Sequence, residues 1–360
     1  MSRAVGPAKP RVVLVTGVGR YLGAQVAGRL TTDPEIGRVI GVDSTVPAAG
    51  PGAAPGLARV ELHAIDIRTP EITRLLADAQ VEAVVHLAIA TSGDHQSGGR
   101  ATMKEHNVIG TMQLLAACQQ APALRKLVVR SSTAAYGASF RDPAVFTEDT
   151  EPREIPRGGF AKDVLDIEGY VRGFRRRRPG VVATVLRFAP LIGPRADTRL
   201  SRYFALPVVP TVLGRDPRLQ FVHSDDALEV LHRSVVEDHP GTYNVAGDGV
   251  LTLSQAVRRA GRVAAPVIEP GLSAVAAFAR SWGLVDFSLD QLDLFVHGRV
   301  VDTSALVKEY GFAPRATADA FDDFVRGEGM GPLGPAPLHA AEQLIWDRIR
   351  KARALTGSGG

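Results

Sequence analysis

The sequence predicts an α/β fold: a doubly wound parallel sheet with a smaller C-terminal lobe. Two observations carry this expectation. Short, continuous apolar runs alternate with amphipathic helical stretches through the first half of the chain. Such runs form strands buried on both faces, as in a parallel sheet covered by helices. The first run also leads into a glycine-rich turn that opens a helix, and the second run ends on an acid.

The first strand is Val12–Val15. Thr16-Gly17-Val18-Gly19-Arg20-Tyr21-Leu22-Gly23 follows, and then a helix, Leu22–Leu30. Glycines at such a turn let the backbone approach a pyrophosphate, whose charge rests on the free N–H groups of the helix N-terminus. The second strand, Val39–Val42, ends on Asp43, twenty residues past Gly23. A carboxylate there can accept both hydroxyls of an adenosine ribose. Strand, turn, helix, strand and acid in register point to a bound dinucleotide.

Pro47–Gly56 is a Pro/Gly/Ala loop. Further strands are Val60–His63, Ala83–Leu87, Leu127–Arg130 and Val181–Phe188. The helices between them are Pro70–Ala79, Met103–Gln119 and Phe160–Arg178. Thr91–Gly99 is a polar, glycine-rich loop after a strand end, where such sheets hold ligands. Arg175-Arg176-Arg177-Arg178 closes a helix, where cations complement the dipole. It reads as a solvated helix end in preference to a polyanion site. Beyond Phe188, Pro190, Pro194, Pro207, Pro210 and Pro217 punctuate a loop-rich region. Regularity returns at Phe221–Val236 and Thr242–Ala260. The expected organisation is a dinucleotide-binding domain over 1–186, to which 219–260 returns. Residues 187–218 and 261–330 form the smaller lobe, and 331–360 a linker and an amphipathic helix. That helix, Leu338–Leu355, is expected to pack on the core rather than anchor in a membrane.

Composition narrows the function. With 360 residues and 45% apolar content, the chain can bury a large core. A net charge of +4 is too small to argue for nucleic acid. The single cysteine, Cys118, excludes an internal disulfide framework and suits a reducing compartment. No apolar run is long enough for a signal peptide or a membrane span. A cytoplasmic protein with no integral membrane segment is expected. No metal site is read.

Several separated motifs agree in order and spacing. They are Thr16–Gly23; Val42-Asp43; Asp66-Ile67; His86-Leu87-Ala88; Asn107-Val108-Ile109-Gly110-Thr111; Ser131-Ser132-Thr133-Ala134-Ala135-Tyr136-Gly137; Lys162; Leu186-Arg187-Phe188; Phe221-Val222-His223-Ser224-Asp225-Asp226; and Tyr243-Asn244-Val245. Over residues 11–250 the chain resembles the extended short-chain dehydrogenase/reductases, specifically the NAD-dependent epimerase/dehydratase family that includes UDP-glucose 4-epimerases. The resemblance implies a Rossmann-type sheet, NAD as cofactor, a nucleotide sugar as small-molecule substrate, and a homodimer paired through Met103–Gln119 and Phe160–Arg178. It implies cofactor contacts from Gly17, Gly19, Arg20, Tyr21, Leu22, Gly23 and Asp43. Asp66 and Ile67 would meet the adenine. His86, Leu87 and Ala88 would line the cofactor, and Asn107 would stabilise the active-site helix. Ser132 would orient the substrate oxygen, and Lys162 would hold the nicotinamide ribose. Plainer readings stand beside two of these: His86 as a satisfied core histidine, and Asn107 as a residue bonded to a neighbouring backbone group.

Three departures matter. The middle glycine of the family's turn is Arg20. A basic residue there can favour a 2′-phosphate, but Asp43 would repel that dianion, so NAD is expected over NADP. The family's catalytic Y-x-x-x-K pair reads Gly158 to Lys162, with no tyrosine. Phe160 lies on another side of the helix, and Tyr170 is two turns along. Asp166, one turn after Lys162, reads either as a replacement base or as an ordinary ion-pair partner. Finally, Pro190 stands where a substrate-binding asparagine is common. Leu219 stands where an arginine often holds the diphosphate, with Arg218 beside it. Three functions therefore stay open. The first is an NAD-dependent epimerase/dehydratase-like oxidoreductase with an altered dyad. The second is a catalytically silent NAD-binding regulator or scaffold. The third is an oxidoreductase for a lipophilic hydroxy substrate, motivated by the apolar run Ala264–Leu294.

Overall fold

The computed structural model describes residues 9–46, 56–91, 99–154, 156, 159–267 and 294–330. Its centre is a seven-stranded sheet. In chain order the first six strands are β1 (Val12–Thr16), β2 (Arg38–Asp43), β3 (Glu61–Ala64), β4 (Ala83–His86), β5 (Lys126–Ser132) and β6 (Val182–Phe188). Strand Gly241–Val245 completes the sheet at the β6 edge. The order from the opposite edge is β3-β2-β1-β4-β5-β6 and then this last strand, and every pairing is parallel. The strand order reverses direction between β1 and β4, which opens a crevice at their C-terminal ends.

The apolar runs are strands because both of their faces are covered. Val13, Leu14 and Val15 of β1 are fully buried, as are Leu127, Val128 and Val129 of β5. Val13, Val15 and Val128 face a cluster with helix α1 (Tyr21–Leu30), which contributes Leu22, Val26 and Leu30. Leu14, Leu127 and Val129 face a second cluster. Its helices are α2 (Glu71–Asp78), α4 (Gly110–Gln120) and α5 (Gly159–Arg177), which contribute Ile72, Leu114 and Ile167 among others. Cys118 of α4 is buried there, and desolvation pushes its thiol up to about 12. The alternation of side chains along each strand thus divides the apolar set between two helical layers.

The expected helix at Met103–Gln119 is longer and interrupted. It runs as α3 (Gly99–Lys104), a π-helical segment (Glu105–Ile109) and then α4. The basic end of α5 departs from a simply solvated terminus. The Arg178 guanidinium donates to the carbonyls of Gln119 (2.6 Å) and Cys118 (3.2 Å), and so satisfies the C-terminal end of α4. Arg175 donates to Ala183 O at 2.8 Å and to Gly241 O. Arg176 and Arg177 are exposed. Unpaired helix-end carbonyls attract donors, and Arg178 supplies them, while Arg175 turns to carbonyls of β6 and of the last strand of the sheet.

After β6 the chain builds a third apolar cluster. β7 (Leu191–Ile192), α6 (Arg199–Ala205), β8 (Val208–Val212) and β9 (Arg218–Leu219) come first. β10 (Val222–His223) and α7 (Ser224–Val236) then lead back to the sheet, whose last strand is β11 (Gly241–Val245). β12 (Leu251–Thr252), α8 (Leu253–Arg259), β13 (Val263–Val267), α9 (Ser304–Tyr310) and α10 (Thr317–Gly327) follow. Phe204, Phe221, Phe321 and Phe324 pack edge-on and stacked in this cluster with Leu219 and Leu253. Most of the loops at 47–56 and 91–99, most of Ala264–Leu294, and the whole of Leu338–Leu355 lie outside the described residues.

Candidate functional site

The crevice beside β1 is shaped by three glycines, each for its own reason. Gly17 has φ +81° and donates its N–H to Val42 O at 2.8 Å. A Cβ on Gly17 would stand 2.8 Å from Ala88 N, so the turn lies directly on the chain leaving β4. Gly23 seats α1 on that turn, since a Cβ there would fall 2.1 Å from Gly17 O. Gly19 donates its N–H to Asp43 Oδ2 at 3.0 Å, and its Cβ would meet Thr45 O at 2.8 Å. Asp43 therefore ties the turn to the end of β2. Arg20 occupies the N-cap of α1 without a side-chain cap, and the first turn carries no acid. The first-turn N–H groups, at Tyr21, Leu22 and Gly23, are left to an incoming anion.

Beyond β3, Asp66 accepts bidentate bonds from Arg68, at 2.6 Å to Nη2. That arginine holds the carboxyl below its ordinary range. Ile67 is buried, and a Cβ on Gly110 would meet it at 3.0 Å.

His86 at the end of β4 is wholly buried and doubly satisfied. Its Nδ1 lies 2.8 Å from Thr16 Oγ1, and its Nε2 lies 2.9 Å from Thr111 Oγ1. Thr111 donates to Asn107 O, so its oxygen accepts from Nε2–H, and Nδ1 is left to accept from Thr16. Thr16 Oγ1 in turn accepts from Leu87 N and Ala88 N at 3.2 and 3.3 Å. Burial pushes the imidazole down to about 3, so it stays neutral. This is the core-histidine reading, and it fixes Leu87 and Ala88 against the glycine turn.

Asn107 sits within the π-helical segment, where one extra residue per turn frees local backbone groups and re-aims a side chain. Its amide clamps Ala90, accepting from Ala90 N at 2.7 Å and donating to Ala90 O at 2.8 Å. It also donates to Asp163 Oδ2 at 3.1 Å. Asp163 is buried and takes a bidentate pair from Arg100, which also reaches Gly159 O at 2.7 Å. One arginine of α3 thus secures the start of α5.

Ser132 ends β5. Its Oγ accepts from Ala134 N at 3.2 Å, which leaves the hydroxyl proton free to donate outward. Lys162 stands in the first turn of α5, and α5 packs against the 3₁₀ turn Thr133–Tyr136 that follows Ser132. Lys162 is about one-third exposed and pairs with Asp166 one turn on. Gly158 lies outside the described residues.

Beneath these groups runs a buried polar network. Ser131 Oγ donates to Glu168 at 2.5 Å, and Arg187 grips Glu168 bidentately at 2.9 and 2.7 Å. Arg187 also donates to Tyr136 Oη at 2.9 Å, and Tyr136 donates to Asn244 Oδ1 at 2.7 Å. These bonds raise the guanidinium pKa against the opposing pull of burial. The strand-end motifs of β5, β6 and β11 are therefore joined as scaffold. On the lobe side, Leu219 is buried in the third apolar cluster and cannot serve as an anion ligand. Arg218 is exposed and donates to Ala144 O at 2.8 Å. Arg299 donates to Gly137 O at 2.6 Å, just past the Ser132 turn. Pro190 offers only its carbonyl, which accepts from Val222 N at 3.1 Å.

Four residues of this region went unread in the sequence: Arg100, Arg130, Asp163 and Glu168. Two left a signal. Arg130 is a charge that ends the apolar run Leu127-Val128-Val129 within the strand, and Glu168 lies on the apolar face of α5 shared by Val164, Ile167 and Val171. Arg100 and Asp163 left none, because their pairing spans 63 residues. Among the described residues, no cluster of His, Cys, Asp and Glu would hold a metal ion.

Residues 13–246 match the sequence model of the NAD dependent epimerase/dehydratase family. An uncharacterized protein of Mycobacterium tuberculosis is 46% identical over 328 residues, covering 91% of this chain and 86% of its own. The UDP-glucose 4-epimerase of Thermotoga maritima, solved with UDP-glucose, superposes with a TM-score of 0.67 at 18% identity, covering 88% of this chain and 98% of its own. The UDP-glucuronic acid 4-epimerase of Bacillus cereus, solved with NAD, gives 0.64 at 17% identity, with 88% and 96% covered. At such identities these two structures share the fold.

Proposed function

The chain belongs to the NAD dependent epimerase/dehydratase family, and from that premise we propose that it binds NAD and acts at a secondary alcohol of a nucleotide sugar, with an altered base. The observation that carries the reading is the cradle of Gly17, Gly19 and Gly23 closed by Asp43, with Ser132 at the end of β5 and Lys162 in the first turn of α5, which packs on the turn after Ser132. The cradle suits an adenosine diphosphate moiety. Its floor is backbone that any Cβ would block, its wall is an uncapped helix N-terminus, and its far end holds a carboxylate for ribose hydroxyls.

When bound, NAD supplies a hydride acceptor. The residues of the chain do the rest. Ser132 has a free O–H to orient a substrate hydroxyl. Lys162 holds a positive charge beside it and can hold a ribose. With no phenol in the dyad, the substrate proton passes to a water or to a carboxylate, and Asp166 is the carboxylate paired with Lys162. Arg218 and Arg299 lie on the side of the smaller lobe, where the anionic diphosphate of the substrate would rest and stay attached throughout.

The pairing of Lys162 with Asp166 also favours a second reading, in which the chain keeps NAD and has lost turnover. NADH fluorescence with a panel of nucleotide sugars separates the two. Quenching or slow interconversion by one sugar supports an enzyme. NADH binding that no sugar perturbs supports a binding module, and absence of NADH binding overturns both.

A further inference from the structure

Arg130 has no part in the site as described so far. It lies in β5 two residues before Ser132, and side chains two apart share a face of a strand about 7 Å from one another. That face is the one carrying Val128, toward the α1 layer and the glycine turn. The guanidinium is partly buried, and its one hydrogen bond among the described residues is a long one, 3.4 Å from Nη1 to Ile89 O. Ile89 directly follows Ala88, on which Gly17 rests. Arg130 therefore lies below the same crevice, between the turn and Ser132.

No carboxylate among the described residues pairs with Arg130 or with Arg20. The other buried arginine of the region, Arg187, sits in a bidentate bond with Glu168. Arg130 is pushed down to about 10, first by burial and then by the charge of Arg20 at the head of α1. Arg130 thus lies under the crevice with no carboxylate of its own among the described residues, since the carboxylate the crevice holds, Asp43, sits at the end of β2 against Gly19. A buried cation without a counter-ion is unfavourable, and a ligand that brings negative charge relieves it.

We propose that Arg130 is a cofactor-site residue at the nicotinamide end of the crevice, and that its charge makes the site favour the reduced dinucleotide over the oxidised one. The proposal rests on the reading of the crevice as a dinucleotide site. The oxidised nicotinamide ring carries a positive charge and the reduced ring carries none. The adenosine diphosphate portion is the same in both, so the cradle at Gly17–Gly23 cannot tell them apart. A fixed cation beside Ser132, in low dielectric, opposes the charged ring.

The test measures dissociation constants for NADH, NAD+ and ADP-ribose, the last lacking the nicotinamide, on the full-length wild type, Arg130→Met and Arg130→Lys. Methionine keeps the apolar bulk of the stem, and lysine keeps the charge. The wild type is expected to bind NADH at least tenfold more tightly than NAD+. Arg130→Met should bring that ratio to within twofold of unity with ADP-ribose affinity unchanged, and Arg130→Lys should retain most of the preference. A wild type with no preference overturns the proposal, as does a ratio that survives Arg130→Met or equal weakening of all three ligands. A wild type that binds none of the three overturns the dinucleotide site itself.

Discussion

At the scale of single residues, the cofactor end is defined by contacts that leave little room for substitution. Asp43 receives Gly19 N–H on one oxygen, so its carboxylate closes the turn, and its remaining lone pairs are the ones proposed for a ribose. Asp43→Ala is expected to weaken NAD binding by on the order of 1.5–3 kcal/mol, since an ionised acceptor is lost. Fluorescence titration checks it, and unchanged affinity would remove Asp43 from the ribose. The catalytic end is less complete. On the reading that Gly158 stands in the tyrosine position, turnover of ordinary UDP-hexoses is expected to be lower by roughly a hundred- to ten-thousand-fold than with a phenol base. Gly158→Tyr should raise it measurably where the ring finds room. Brisk wild-type epimerisation of UDP-galactose that survives mutation of both Ser132 and Lys162 would sink this assignment.

Between whole elements, the stabilising device is the buried chain from Leu87 and Ala88 through Thr16, His86 and Thr111 to Asn107, which locks β1 and β4 to the π-helical segment. It carries a signature in acid. His86 has a folded pKa of about 3, below its unfolded value, so the unfolded chain takes up the extra proton between the two. The stability this neutral histidine provides is fully present above about pH 6.5 and is lost as pH falls toward 3. The loss is about 1.4 kcal/mol per pH unit within that window. Urea unfolding from pH 6 to 4 should show His86→Gln, which cannot titrate, with a shallower slope by that amount. Equal slopes would mean that His86 does not titrate with folding. Five of the six strands read in the sequence were legible as apolar runs with covered faces; β3, Glu61–Ala64, is only partly buried, and β11 was read only as a return of regularity. The β8–β13 pair was not legible, because Pro210 marks the first segment as loop and the second runs into the apolar stretch from Ala264, with Pro266 inside it. Each belongs to a two-stranded sheet with an open edge, where a missing N–H is tolerated. The interruption of α3–α4 was equally invisible, since no residue type in Glu105–Ile109 demands it. Ser132 and Lys162 could be read from local motifs. The Asn107–Asp163–Arg100 clamp depends on contacts across more than fifty residues, which spacing cannot reveal.

For the molecule as a whole, apolar side chains stay exposed on the helices that cover one face of the sheet. Ile109, Met112 and Tyr170 are 36–39% exposed, and they lie on the π-helical segment, α4 and α5. α4 and α5 are the helices expected to pair two subunits, and apolar positions at helical spacing suit a four-helix interface. A homodimer of about twice 38.2 kDa is therefore expected by light scattering at micromolar concentration. Met112→Glu should shift the mass to that of the monomer with NAD binding retained. A wild-type monomer under those conditions would count against the pairing. No helix among the described residues is long and apolar enough to cross a membrane.

The solitary thiol of Cys118 gives the fold a built-in clock. It is wholly buried against the sheet on the layer that includes α5, and its proton is held up to about 12. A thiol-specific reagent can react only when α4 lifts away, so the labelling rate in the folded protein reports the opening free energy of that layer directly. Because α4 is part of the expected subunit interface, this rate should fall with rising protein concentration, reading assembly through chemistry at a buried position.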